Sequence, residues 1–189
     1  MEALKPYDGL PDSVEYDGRT YGLDLSYAAF FAAVDATEDP RLDDVVKLRT
    51  ALDILVTDEH PLDPGLLQAI LDLLRDDKPK DDGPKLMDIT QDWHYICAAF
   101  QQAYGINLYE DKSLHIVRFR ALLQAIPKET KLSEIIGIRA APIPAPNKHN
   151  QQQIAELTRL KAIYALRGNK SSLQEGWARL FEMLSTGAK

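Results

Sequence analysis

Four residues of types that do chemistry, Asp92, His94, Tyr95 and Cys97, fall within six positions of the stretch DWHYICAAFQQAYGINL, residues 92–108. A cysteine and a histidine in hydrogen-bond reach would form a nucleophilic pair, the imidazole taking the thiol proton. Residues three apart on a helix approach that reach. The same stretch, however, carries Trp93, Ile96, Cys97, Phe100 and Tyr104 at i, i+3, i+4, i+7 and i+11, an apolar helical stripe. Cys97 belongs to that stripe, and a buried thiol without a positive neighbour is inert. His94 lies one position from Trp93, about 100° around a helix, at the margin of the stripe or outside it. No oxyanion site or orienting third group accompanies the pair. The preferred reading is a helix with polar residues on its wet side.

Metal binding needs several ligands that converge. The histidines are His60, His94, His115 and His149, and none stands three or four positions from another. Cys97, His94 and His115 make a partial site only if two helices pack face to face. Phosphate-loop, dinucleotide, HExxH and CxxC patterns are missing from the sequence. The pairs Asp43-Asp44, Asp76-Asp77 and Asp81-Asp82 lack calcium-loop spacing and suit solvated loops and helix N-termini. Arg118 and Arg120 flank Phe119, and Arg139 ends a short apolar segment. These guanidinium groups suit a carboxylate-bearing partner or, the preferred reading, an intramolecular ion pair. No catalytic residue, cofactor or metal ligand is therefore expected.

The elements that position these residues are mostly helical. SVEYDGRTYGL reads as a β-hairpin whose Asp17-Gly18 suits a type I′ turn, with Val14 opposite Tyr21 and Tyr16 and Arg19 on the same face. Tyr27, Phe30, Phe31 and Val34 mark a first helix. Asp39-Pro40 and Asp63-Pro64 each look like an N-cap followed by proline at the first helical position. Val45, Leu48, Leu52 and Leu55 follow the first of these, and Leu66, Leu67, Ile70, Leu73 and Leu74 the second. Residues 76–85, charged and broken by prolines and a glycine, should be a loop. Gly105 is a natural end for the helix bearing Cys97. A further helix is expected over residues 111–126, with Leu114, Val117, Ala121, Leu122 and Ala125 on one side. Pro127 ends it, and a short helix covers about 132–138. APIPAPN, residues 141–147, should be an extended linker. Ile154, Leu157, Tyr164 and Ala165 line a helix reaching about Leu166. Ser172 and Glu175 match a capping box opening a last amphipathic helix with Leu173, Trp177, Leu180, Phe181 and Leu184. The fold expected is mostly α: a hairpin and helical body over residues 1–140, then a proline-rich linker and C-terminal helices over 141–189.

Of the 189 residues, 45% are apolar and 27% charged, an ordinary balance for a domain with a real core. No apolar run approaches the ~20 residues needed to span a bilayer, and the opening MEALKPYDGLPDSVEYDG does not read as a secretory signal. Cys97 is the only cysteine, so no internal disulfide forms and a reducing compartment is expected. The net charge of −7 is uneven: residues 1–90 hold 21 Asp/Glu against 9 Lys/Arg, and residues 91–189 hold 8 against 13. An acidic first half, with no basic run in the second, disfavours nucleic acid as a partner. Solvated faces that keep the protein soluble explain the split better.

The order of motifs from Asp92 to Leu166 resembles a bacteriophage family named for gene product fifteen, found in the tail-gene region of phages of Gram-positive bacteria. The matching positions are Asp92, Tyr95-Ile96, Ala98-Ala99-Phe100, a glutamine at 101 or 102, Tyr104-Gly105-Ile106 and Leu108. They continue through Leu114-His115-Ile116-Val117-Arg118-Phe119-Arg120-Ala121-Leu122-Leu123, Leu132-Ser133-Glu134-Ile135-Ile136, Arg139 and Lys161-Ala162-Ile163-Tyr164-Ala165-Leu166. The Leu-Pro and the hairpin extend the likeness toward residue 10. The family often has two tryptophans where this chain has Ile116-Val117, and the tail from Arg167 onward has no counterpart.

The resemblance carries no catalytic residues. The family's place between tail-tube and tape-measure genes implies a tail assembly chaperone that keeps the tape measure protein soluble and recruits tail tube subunits. The contact surface expected comprises Trp93, Phe100, Tyr104, Leu114, Arg118 and Phe119, with Trp177 and Phe181 on a C-terminal arm. Action in the host cytoplasm during assembly, and absence from the finished virion, follow from that role. A homo-oligomer is left open. The alternatives are a minor structural part of the tail or connector and, from another class, a small hydrolase or metal protein using His94, Cys97 and His115.

Overall fold

The computed structural model describes residues 9–75 and 83–167. These form two compact units, one of residues 9–75 and 112–121, the other of 83–111 and 122–167. The expected helix 172–185, with Trp177 and Phe181, and most of the expected loop 76–85 lie outside the described residues.

In the first unit, Asp17 and Gly18 take φ of 50° and 73°. Two successive positive φ values make a type I′ turn, whose twist matches that of the flanking strands. It joins β1 (Ser13–Tyr16) to β2 (Arg19–Gly22), with Val14 opposite Tyr21 and Tyr16 opposite Arg19. Val14 and Tyr21 are buried. The Tyr16 hydroxyl donates to Asp63 Oδ2 at 2.8 Å, fastening the hairpin to the start of a later helix. Adding a Cβ to Gly65 would drive it into that hydroxyl. Gly65→Ala is therefore expected to cost about 1–3 kcal/mol, read as a lowered midpoint in thermal unfolding.

Helix α1 (Tyr27–Glu38) is capped by the Ser26 hydroxyl, which accepts from the Ala29 N–H at 3.2 Å. It buries Tyr27, Phe30, Ala33 and Thr37, while Phe31 and Val34 of the expected stripe are half-buried. The next helix does not begin at Asp39-Pro40. Asp39 closes α1 and binds the backbone and guanidinium of Arg41, and these hydrogen bonds hold its carboxyl down at about 2. Helix α2 (Asp44–Leu55) opens at Asp43, which accepts from the Val46 N–H at 2.9 Å. This start leaves Val45, expected on the buried stripe, 59% exposed; Ala51, Leu52 and Leu55 form the inner face. Asp63 caps α3 (Pro64–Leu73) as expected, accepting from Gly65 N–H at 2.8 Å. Its core residues are Leu66, Leu67, Ile70 and Leu71, with Leu74 just beyond; Leu73 is only half-buried.

Helix α5 (Ile116–Gln124) contributes its first turns to this unit and is shorter than the expected 111–126. Its buried residues are Ile116 and Phe119, whereas Ala121 and Ala125 of the expected face are exposed. Tertiary pairing decides this. The Tyr27 N–H donates to Leu114 C=O and the Ile116 N–H to Leu25 C=O, both at 2.8 Å, which turns Phe119 onto the Tyr27 ring. The two rings stack with centroids 5.2 Å apart.

The second unit is built on α4 (Trp93–Tyr104), which ends at Gly105 with φ 68°, the left-handed cap expected there. Helix α6 (Lys131–Ala140) extends the expected short helix at both ends and is capped by Thr130. Residues 141–147 have no regular structure, and Pro142 through Asn147 are exposed. Asn150 clips this segment to α7 (Gln151–Ile163): its Nδ2 donates to Ala145 C=O at 2.9 Å and its Oδ1 accepts from the Asn147 N–H at 2.7 Å. The core comprises Ile96, Cys97, Ala99, Phe100, Leu108, Leu132 and Ile135. The described residues are mostly α with one N-terminal antiparallel hairpin. No helix among the described residues is long and apolar enough to cross a membrane.

Candidate functional site

Asp92 does not cap α4 with its side chain. The carboxylate turns instead to Arg139, accepting from Nη1 at 2.7 Å and Nη2 at 2.8 Å. It also accepts from the Asp88 N–H at 2.9 Å. Arg139 donates further to Leu86 C=O at 2.8 Å and, from Nε, to Tyr164 C=O at 2.7 Å. Lys161 Nζ in turn donates to Arg139 C=O at 2.6 Å. The Asp92 and Arg139 side chains are 1% and 7% exposed. Such a buried, bidentate pair, bonded further to the Asp88 N–H and to the Leu86 and Tyr164 carbonyls, is a clamp. It joins residues 86–92, the end of α6 and the end of α7. Nearby, burial works against the Asp88 carboxylate, but the Gln91 N–H and the Lys85 ammonium outweigh it and hold that carboxyl below its usual range.

Among the other members of the opening cluster the His94 and Tyr95 rings meet, with centroids 3.8 Å apart, but His94 and Cys97 lie on different sides of α4. His94 is exposed while Cys97 is 5% exposed, on the inner side of α4. Burial pushes the Cys97 thiol up, against a smaller opposing effect of its hydrogen bond with Tyr109. Alkylation of native Cys97 by iodoacetamide is expected to be at least about tenfold slower than in the urea-unfolded chain, because the thiolate is the nucleophile. A mass-spectrometric time course checks it. His115 uses both ring nitrogens: Nε2 meets Pro11 C=O at 2.9 Å and Nδ1 accepts from the Val117 N–H at 3.2 Å. No group of three His, Cys, Asp or Glu among the described residues lies close enough to hold a metal ion.

The expected contact residues divide between core and surface. Phe100 and Phe119 are fully buried and Leu114 is 6% exposed, so each supports its helix from within. Trp93 and Tyr104 are half-buried on α4, and Tyr104 donates to Leu122 C=O at 2.9 Å. Arg118 is exposed. Of the three arginines singled out, Arg139 makes the internal ion pair, while Arg120 donates to Leu74 C=O at 2.8 Å and so closes α3.

One surface had no place among the expected sites. Helix α7 buries none of its residues. Ile154, Leu157 and Leu160 are half-buried, and Ile163 is 55% exposed. Ala141, Pro142 and Pro144 face Gln153, Glu156, Leu157 and Leu160 across an open groove of about 550 Å³. The signal was a proline run followed by a helix whose apolar stripe is thin.

A family model described as Bacteriophage Gp15 protein matches residues 7–166. The chain belongs to that family. Neither the curated proteins nor the solved structures contain a match to it.

Proposed function

We propose that this chain is a non-enzymatic tail assembly chaperone that binds the phage tape measure protein, keeps it soluble and helps recruit tail tube subunits. The observation that carries the reading is membership of the Gp15 family over residues 7–166. The family's place in the tail-gene region supports the tail as the site of action. A tape measure exposes long apolar helical stripes before the tube encloses them. A small helical protein covers such a stripe with an apolar groove and keeps the complex in solution with charge. Fourteen Asp and Glu against eight Lys and Arg in residues 9–75 and 112–121 supply that charge. The contact residues proposed are the accessible ones, Trp93, Tyr104 and Arg118, with Trp177 and Phe181 from the C-terminal segment. The protein acts in the host cytoplasm during assembly and is not retained in the virion.

Co-expression of the tagged protein with the tape measure and tube proteins tests this. The expected result is a tape measure that becomes soluble and copurifies. Failure of both partners to bind, with the protein present at fixed stoichiometry in purified tails, would establish a structural component instead.

A further inference from the structure

The polar ties of α7 to the second unit crowd at one end. Tyr164 C=O accepts from Arg139 Nε at 2.7 Å, and Lys161 Nζ donates to Arg139 C=O at 2.6 Å. Gln91 donates from Nε2 to Ala165 C=O at 3.0 Å and accepts at Oε1 from the Arg167 N–H at 2.8 Å. The Lys131 ammonium lies 5.3 Å from the centre of the Tyr164 ring. Toward the other end these ties stop. Among the described residues, no hydrogen bond or ion pair joins residues 142–160 to any residue before Ala141. The polar bonds of that stretch are its own: Asn150 with Ala145 and Asn147, and Glu156 with Arg159 at 2.8 Å. Ala141 itself is held, its N–H donating to Gly137 C=O at 2.9 Å.

We propose that α7 is a hinged flap: residues 145–160 lift off the second unit while residues 161–167 stay fastened, and the groove between them and Ala141–Pro144 opens. The apolar hold on the lifting part is small. Ile154, Leu157 and Leu160 are only half-buried, and the helix buries no side chain fully. The Asn150 bonds carry Ala145 and Asn147 along with the start of the helix. Two fixed points remain, Ala141 and the ties at 161–167, and they define the axis of the swing. Rotation about that axis breaks none of the bonds that fasten either end. The adjustment falls on residues 141–144, where proline fixes φ and leaves ψ to turn. One wall of the groove, Ala141, Pro142 and Pro144, stays with α6, whereas the other, Gln153, Glu156, Leu157 and Leu160, moves with the flap. The groove of about 550 Å³ is thus the closed form of a wider cleft, and the flap governs access to Ile154, Leu157 and Leu160. The inference concerns the free chain and holds whichever partner it has.

Hydrogen exchange of the full chain, resolved to single residues, tests it. A lifted helix this short keeps little protection of its own. The amides of residues 155–160 are therefore expected to exchange at least about a hundredfold faster than those of residues 97–103 in α4, by an opening that low urea does not speed. Those of residues 161–164 should exchange at least about tenfold more slowly than those of 155–160. Fraying from both ends gives the opposite order, with the middle of the helix slowest. The double variant Gln91→Ala, Lys161→Ala removes ties at the hinge and spares the Asp92–Arg139 pair. It should speed exchange at 161–164 at least about threefold and leave residues 97–103 unchanged. Protection of 155–160 equal to that of 97–103 overturns the proposal, because α7 is then packed along its whole length. A maximum of protection at 155–160 overturns it as well, since the helix then frays and does not swing. An unchanged profile in the double variant removes these ties as the hinge, and the proposal fails with them.

Discussion

Arg139→Ala is expected to remove about 3–5 kcal/mol of stability, because it strands the Asp92 carboxylate in a buried site. Asp92 would keep only the Asp88 N–H among its present donors. Leu86 C=O and Tyr164 C=O would each lose a charged donor as well. The loss has a spatial signature. Tyr164 C=O and Lys161 are the polar ties from the end of α7 to Arg139, and α7 has no buried side chain of its own to hold it. Exchange should therefore accelerate in residues 83–92 and 151–164 before the rest of the second unit responds. Urea unfolding measures the total, and peptide-resolved exchange measures its distribution. Replacing both partners, as in Asp92→Leu with Arg139→Met, should restore much of the stability, since two apolar groups leave no orphaned charge. If Arg139→Ala alone shifts stability by less than ~1 kcal/mol, the pair is not a clamp.

Phe119→Ala is expected to cost a similar ~3–5 kcal/mol, the usual loss for a fully buried phenylalanine. Its ring stacks on Tyr27 and meets Phe31 edge-on with centroids 5.5 Å apart. Arg118→Glu, one position earlier and exposed, should change stability by no more than ~0.5 kcal/mol. The pair separates a core role from a contact role on one turn of helix. Under the proposed function, Arg118→Glu reduces capture of the tape measure while leaving the urea midpoint in place. Phe119→Ala lowers the midpoint, and capture falls only as the folded fraction falls. A stable Phe119→Ala that lost its partner would return Phe119 to the surface.

Those two residues also mark where the sequence was legible. The hairpin register followed from Asp17-Gly18, because few residues tolerate two successive positive φ values. The Gly105 cap and the Asp63-Pro64 start were legible for the same local reason. At α2 two local signals competed. Asp39-Pro40 has the form of a helix start, but the pairing of Asp39 with Arg41 makes a turn there, and Asp43 caps the helix. At α5 the 3.6-residue period admitted more than one face. The choice fell to contacts with Tyr27 and Leu25, about ninety positions earlier. The Asp92–Arg139 pair is separated by 47 positions, so only the fold brings it together. The groove escaped because a thin stripe after a proline run reads equally well as a linker and a packed helix.

The backbone bridge between Ser26 and His115 has a consequence for biosynthesis. The first unit is discontinuous in sequence. Its hairpin and α1–α3 leave the ribosome well before residues 112–121 that complete them. At about 5–20 residues per second, the wait from Arg75 to Phe119 lasts roughly 2–9 s. Throughout it Tyr27 and Phe31 lack the Phe119 ring that later packs on them. The nascent chain is thus sticky for seconds, and the excess of Asp and Glu along its first 90 residues keeps neighbouring copies on a polysome apart until the core can close.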